Sequence, residues 1–404
     1  MAAGLLLAAC STVEPGGGLS ASVVAPSPTA SPTADARTDP KARAAAVRAV
    51  LEARATAFVT ADLAAARATQ VSGAAIPTTV RIVRLPLASW AYEVTASSER
   101  SGLLDVRARL TWRVEGESSG SEVDQRLALR WSGGRWLVAS ERSVSDSAPP
   151  WELGPLTVVR GKRSIVIAVG EASSRARAAA RLVDSAVLGV SKVYGKDWQK
   201  RAVLVLTGTD EQMAEGLDWS VAHVRRFGAV TTSVGSVPSA TAPADRVWTR
   251  AAVWDRLPDR FLLVLLRHEI THVATRATFS ASVPLWLEEG YANHVGYTGS
   301  DVPDRQALVE LLDVVRRSGA PAALPSNAAF ADERAGMAYA GGQLACDLIA
   351  EGWGEAGLRR VYRLTATGDD TPARNLERAL REVTGRGLAG LTADWRARAT
   401  ALAR

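Results

Sequence analysis

Cysteine is scarce: the 404 residues hold two, Cys10 and Cys346. Thiols so few and so far apart support neither a disulfide framework nor a cysteine-based metal site, and Cys346, within Gln343-Leu344-Ala345-Cys346-Asp347-Leu348, reads as a small core residue. Beyond the first ten residues no stretch reaches the roughly 18 consecutive apolar residues that a membrane-spanning helix needs, so the body of the chain is expected to be soluble. Blocks of basic residues are missing too. The net charge of +6 and the pI near 9.6 come from arginines scattered among alanines, a pattern that points to no nucleic-acid partner.

Histidine is the scarcest chemistry-bearing residue after cysteine, with four. Two of them stand in Arg267-His268-Glu269-Ile270-Thr271-His272, an H-E-x-x-H. On a helix, residues four apart lie one turn above each other, so His268 and His272 can hold one metal ion between them, with the Glu269 carboxylate beside it as a base for metal-bound water. The preceding Phe261-Leu262-Leu263-Val264-Leu265-Leu266 is apolar on every side, which predicts a buried helix opened by Pro258-Asp259. A catalytic zinc takes three protein ligands and keeps one open position. Val283 to Ala292 offers Glu288 and Glu289 on a second helix starting at Pro284, and periodicity alone does not separate the two.

The segment Pro284-Leu285-Trp286-Leu287-Glu288-Glu289-Gly290-Tyr291-Ala292 resembles the P-x-W-L-x-E-G-x-A that follows H-E-x-x-H in bacterial gluzincins, the branch of thermolysin and the aminopeptidase-N-like enzymes. The glutamate before glycine is that family's third zinc ligand. The resemblance therefore implies one Zn2+ held by His268, His272 and Glu289, 17 residues after His272, with Glu288 left as an alternative ligand or as a partner orienting an imidazole. It also implies Glu269 as general base, a peptide or protein substrate, and an oxyanion stabiliser for which Tyr339, in Met337-Ala338-Tyr339-Ala340, is the candidate beside a plain packing role. In the family an edge strand borders the cleft; here that strand is either 229–234 or 247–252. His294 is expected to be structural, and His223 stays unassigned. Thr275 and Thr278 exclude the metzincin pattern, which needs Gly and His there. No G-x-M-E-N-like aminopeptidase signature precedes the helix.

Leu7-Ala8-Ala9-Cys10 resembles the lipobox of bacterial lipoproteins, which implies lipid on Cys10 and an extracytoplasmic protein anchored to the cell membrane. Residues 11–40, rich in Pro, Ser, Thr and Gly, suit a disordered tether. Residues 41–147 read as one broken or two short helices over 42–70, then strands at 81–87, 89–96, 103–114, 123–131 and 135–142, with Ser132-Gly133-Gly134 as a hairpin signal. That order resembles the curved sheet of the nuclear-transport-factor-2-like fold, in which Trp90, Trp112, Trp131 and Trp136 line a pocket or, more simply, form core. Ser147-Ala148-Pro149-Pro150 suits an extended connector. From 155 to 404 the pattern changes: strands at 164–169 and 202–206, a helix at 173–194, Asp210 capping a helix at 211–217, irregular strand over 221–234, then the metal helices and a helical tail. The expected fold class is α+β throughout. The expected function is a lipid-anchored zinc metallopeptidase of the envelope; the alternative is a non-catalytic zinc-binding envelope lipoprotein, and the presence of Glu269 favours the enzyme.

Overall fold

A computed structural model describes residues 35–233, 244–279, 283–331 and 335–404. Cys10 and most of the expected tether lie outside the described residues. The first described element is a helical turn, Asp35–Thr38, whose Ala36 is buried and accepts, through its carbonyl, the Trp136 indole N–H at 3.0 Å.

Helix α1 (Pro40–Val59) starts where Asp39 accepts the Lys41 and Ala42 backbone N–H groups and Pro40 supplies a preset φ. Its buried Val47, Leu51, Ala55 and Phe58 recur every three or four residues and pack on an antiparallel meander, order β1-β2-β3-β4. The strands are β1 (Leu87–Arg100), β2 (Leu103–Val114), β3 (Ser121–Ser132) and β4 (Arg135–Ser143). At the β3–β4 hairpin Gly133 and Gly134 both take positive φ, 57° and 77°, as a two-residue turn matching strand twist requires. Residues 81–87 do not form the expected strand: Pro77 starts a helix, Pro77–Ile82, and β1 begins only at Leu87.

Pro149 is extended, with φ −68° and ψ 154°, as the expected connector requires, but the connector ends there. Pro150–Leu153 is a short helix that drives Trp151, 1% exposed, between Trp90 and Trp112, with ring centroids 5.0 and 4.8 Å away. Trp90 and Trp112 are buried in these contacts, and Trp136 is buried in a separate cluster against Trp131, with ring centroids 5.5 Å apart. A second, five-stranded sheet follows, order β5-β6-β7-β9-β8. It comprises β5 (Leu156–Arg160), β6 (Ser164–Val169), β7 (Ala202–Thr207), β8 (Ala229–Thr232) and β9 (Arg246–Arg250). β6, β7 and β9 are parallel; β5 and β8 pair antiparallel at the two edges.

β6 and β7 are apolar at nearly every position because both faces are covered. Val166, Ala168, Leu204 and Leu206 face helix α2 (Ala176–Tyr194) and the metal helices, while Ile165, Ile167, Val203 and Val205 share a core with Trp90, Trp112 and Trp151. Helix α3 (Asp210–Leu217) is capped by Thr209 in a capping box with Gln212, one residue before the expected Asp210. Among the described residues of the expected irregular strand over 221–234, only Ala229–Thr232 is strand; Val221–Val224 is a helical turn capped by Ser220.

The rest is helical: α4 (Asp259–Thr278), α5 (Leu285–Tyr297), α6 (Val309–Ser318), α7 (Ala335–Thr367, kinked at Gly354), α8 (Pro372–Thr384) and α9 (Leu388–Ala403). The fold class is thus α+β, an N-terminal helix and antiparallel sheet followed by a mixed sheet and a helical C-terminal part. Among the described residues no helix is long and apolar enough to cross a membrane.

Candidate metal centre

The apolar stretch 261–266 roots α4 in the core through Leu262, Val264 and Leu266, and the helix carries His268 and His272 out on one side. Glycine sets how closely α5 approaches. A Cβ on Gly296 would stand 3.0 Å from the Val264 carbonyl oxygen, and one on Gly290 would stand 2.3 Å from that of Gly342 on α7. Glu289, next to Gly290, is thereby pressed toward the two imidazoles.

The outcome is three donor atoms in one small volume. His268 Nε2 and His272 Nε2 are 3.2 Å apart, and Glu289 Oε2 lies 3.2 Å from the first and 3.4 Å from the second. Tetrahedral zinc with bonds of about 2.0–2.2 Å needs its ligand atoms about 3.3–3.6 Å apart. Two imidazole nitrogens and a carboxylate oxygen at these separations fit that ion, and among the described residues no other set of His, Cys, Asp and Glu converges this way. Glu288 turns aside: its Oε1 pairs with Arg276 Nη2 at 3.2 Å and stands 3.7 Å from His272 Nδ1, the nitrogen that faces away from the other donors. It therefore lies beside His272, paired with Arg276, while Glu289 joins the cluster.

Electrostatics bind the cluster together. Burial opposes charge on His268, but the Glu289 hydrogen bond, the Glu269 and Glu289 charges and the Asn293 contact raise its pKa to about 9. Burial likewise works against the Glu289 carboxylate, yet His272 and His268 hold it well below the usual carboxylate range.

Glu269 is 5% exposed, on the turn between the two histidines. Its Oε2 accepts a 2.7 Å hydrogen bond from Thr231 Oγ1 on β8, so the carboxylate beside the donor cluster is held from the sheet side. Ala229–Thr232 is therefore the strand flanking this site, while 247–252 belongs mainly to interior strand β9. The Tyr339 ring lies 6.1 Å from that of His268, and burial together with the Glu289, Glu269 and Glu288 charges raises its pKa, keeping the phenol protonated. His294 does not face the cluster: it is buried between Asp347 (2.7 Å) and Glu355 (3.0 Å). His223 packs with Trp219 and Phe227.

Sequence reasoning missed Asn293, Thr231 and Arg276. Asn293 Oδ1 lies 2.7 Å from His268 Nδ1, which makes that nitrogen an N–H donor, so that the neutral imidazole a metal ion requires would carry its lone pair on Nε2, the atom aimed at the cluster. Its position four residues after Glu289, on one helix face, was a readable signal. Arg276 is hydrogen-bonded to the Thr231 carbonyl at 3.0 Å and pairs with Glu288; like Thr231, it announces nothing in local sequence.

No protein-family model and no curated protein matches the chain. Among solved structures it is similar to native yeast LTA4 hydrolase, at 14% identity and a TM-score of 0.38, over 66% of this chain and 42% of that one. It is also similar to a mutant M1 zinc metallopeptidase from Deinococcus radiodurans, at 15% identity and a TM-score of 0.36, over 76% of this chain and 61% of that one. The chain thus spans less than two thirds of either.

Proposed function

We propose that this protein is a zinc-dependent metallopeptidase. The observation that carries the reading is the convergence of His268 Nε2, His272 Nε2 and Glu289 Oε2 to within 3.4 Å of one another, with the Glu269 carboxylate on the adjoining helical position. His268, His272 and Glu289 would hold one Zn2+, which supplies a Lewis acid for the scissile carbonyl and a water whose pKa falls towards about 7. Glu269 takes the proton from the attacking water and passes it to the leaving amine. Asn293 fixes the His268 tautomer. Tyr339, kept as a neutral phenol, is a hydrogen-bond donor beside the donor cluster and serves as the candidate stabiliser of the developing oxyanion.

Replacing Glu269 by Gln keeps the shape and removes the base. The Glu269→Gln protein is expected to retain zinc and lose turnover on a peptide library; turnover equal to that of an active parent removes Glu269 as the base, and a zinc-loaded parent that cleaves nothing leaves a non-catalytic zinc protein as the reading. The proposal extends to location. Leu7-Ala8-Ala9-Cys10 supports a lipid on Cys10 and display outside the cell membrane. Mass spectrometry of the mature N-terminal peptide is expected to find an acylated cysteine, and a Cys10→Ser protein that still fractionates with membranes would argue against it.

A further inference from the structure

The Glu269 carboxylate is not left to its own rotamer. Thr231 Oγ1 lies 2.7 Å from Glu269 Oε2 and 2.8 Å from the Glu269 backbone carbonyl, so its single O–H is shared between the carboxylate and the main chain of the same residue. A carboxylate folded back to the same hydroxyl as its own carbonyl is confined in χ1 to χ3. Thr231 is itself fixed. It pairs with Val247 in the sheet, and its carbonyl accepts from Arg276 Nη1 at 3.0 Å, while Arg276 is tied to Glu288. Strand β8, the helix carrying the two donor histidines and the helix carrying Glu289 therefore meet through one threonine and one arginine.

We infer that Thr231 is the positioning residue for Glu269: its hydroxyl holds the carboxylate in the one rotamer that serves as base, and fixes it to the strand lining the site. This rests on the peptidase reading above. The hydroxyl does not touch the donor atoms of His268, His272 or Glu289, so its removal acts on the base and leaves the metal ligands in place. A general base displaced by about 1 Å loses on the order of a hundredfold in rate, and that sets the scale of the effect.

The test compares Thr231→Val, which keeps shape and strand propensity without the hydroxyl, with Thr231→Ser, which keeps the hydroxyl. On a peptide cleaved by the parent, Thr231→Val is expected to lower kcat about 10- to 100-fold, with KM and zinc content at parental values. Thr231→Ser is expected to return to within about threefold of the parent. Crystal structures of the two variants add a readout independent of turnover, with Glu269 in its parental rotamer in the serine protein and displaced or split in the valine protein. Parental kcat in Thr231→Val, equal losses in both variants, a change confined to KM, or an unmoved Glu269 in the valine protein would each overturn the inference. If the parent is active and Glu269→Gln is dead while Thr231→Val is parental, the inference alone falls. If the parent cleaves nothing, the peptidase reading falls and takes with it the base that Thr231 is said to hold.

Discussion

Asn293 is not one of the three converging donors, yet it decides which nitrogen of His268 faces them. Partners of this kind typically change metal affinity 10- to 100-fold, so Asn293→Ala is expected to weaken zinc retention by about that factor in a chelator competition; unchanged affinity would mean the tautomer is set elsewhere. His294 supports the same helix differently. Burial disfavours its charge, and hydrogen bonds to the Asp347 and Glu355 carboxylates overcome that cost, raising its pKa to about 9. Since this lies above the unfolded value of about 6.5, the stability His294 contributes is complete below that pH and disappears as pH rises through about 9. Urea midpoints are expected to fall between pH 7 and 9.5 more steeply for the parent than for His294→Gln, and parallel slopes would contradict this. At this scale the i, i+4 spacing made His268, Glu269 and His272 legible. Periodicity leaves Glu288 and Glu289 unresolved, because adjacent helix positions both border a facing helix; the family resemblance points to Glu289, and the packing of α5 brings that carboxylate to the imidazoles. Thr231 lies 38 residues from Glu269 and reaches it only after the sheet has formed.

Helices α4, α5 and α7 meet through glycine, and the arrangement leaves no slack. Gly290→Ala would place a methyl 2.3 Å from the Gly342 carbonyl oxygen, a backbone atom that no rotamer change can move aside. The expected cost is about 1–3 kcal/mol or more, read by urea unfolding, and zinc content should fall with it because Glu289 must shift with the helix. An alanine protein with parental stability would show that the helices can part freely. Elements with a strong period were readable in advance: β2 and β6 fall within the expected limits to the residue. Missed elements have a local cause. Arg81 to Leu85 looks β-branched and alternating, but Pro77 starts a helix just ahead of it; Leu156–Arg160 is an edge strand too short to stand out.

Across the whole molecule the two sheets are joined by more than apolar contact. Glu117, in the turn between β2 and β3, reaches Arg246 on β9, with Arg246 Nη2 2.9 Å from Glu117 Oε2 and the guanidinium 4.0 Å from the Trp112 ring centre. Both side chains are 4% exposed or less. Glu117→Ala leaves a cation buried without its anion, and the expected loss is about 3–5 kcal/mol; a loss under about 1 kcal/mol would show that water reaches Arg246. Neither this pair nor the shared core was legible in the chain, because the consecutive prolines at 149 and 150 mark a change in pattern, and a change in pattern says nothing about what the following tryptophan fills. The Trp151 plug bears on cooperativity. A residue that completes the interior of one sheet while the next strands of the chain build the other makes neither half a folding unit on its own. Heating should therefore give one calorimetric transition whose measured and van't Hoff enthalpies agree, and cleavage at the Pro149-Pro150 segment should release no folded fragment; two separable peaks would show that the halves melt independently.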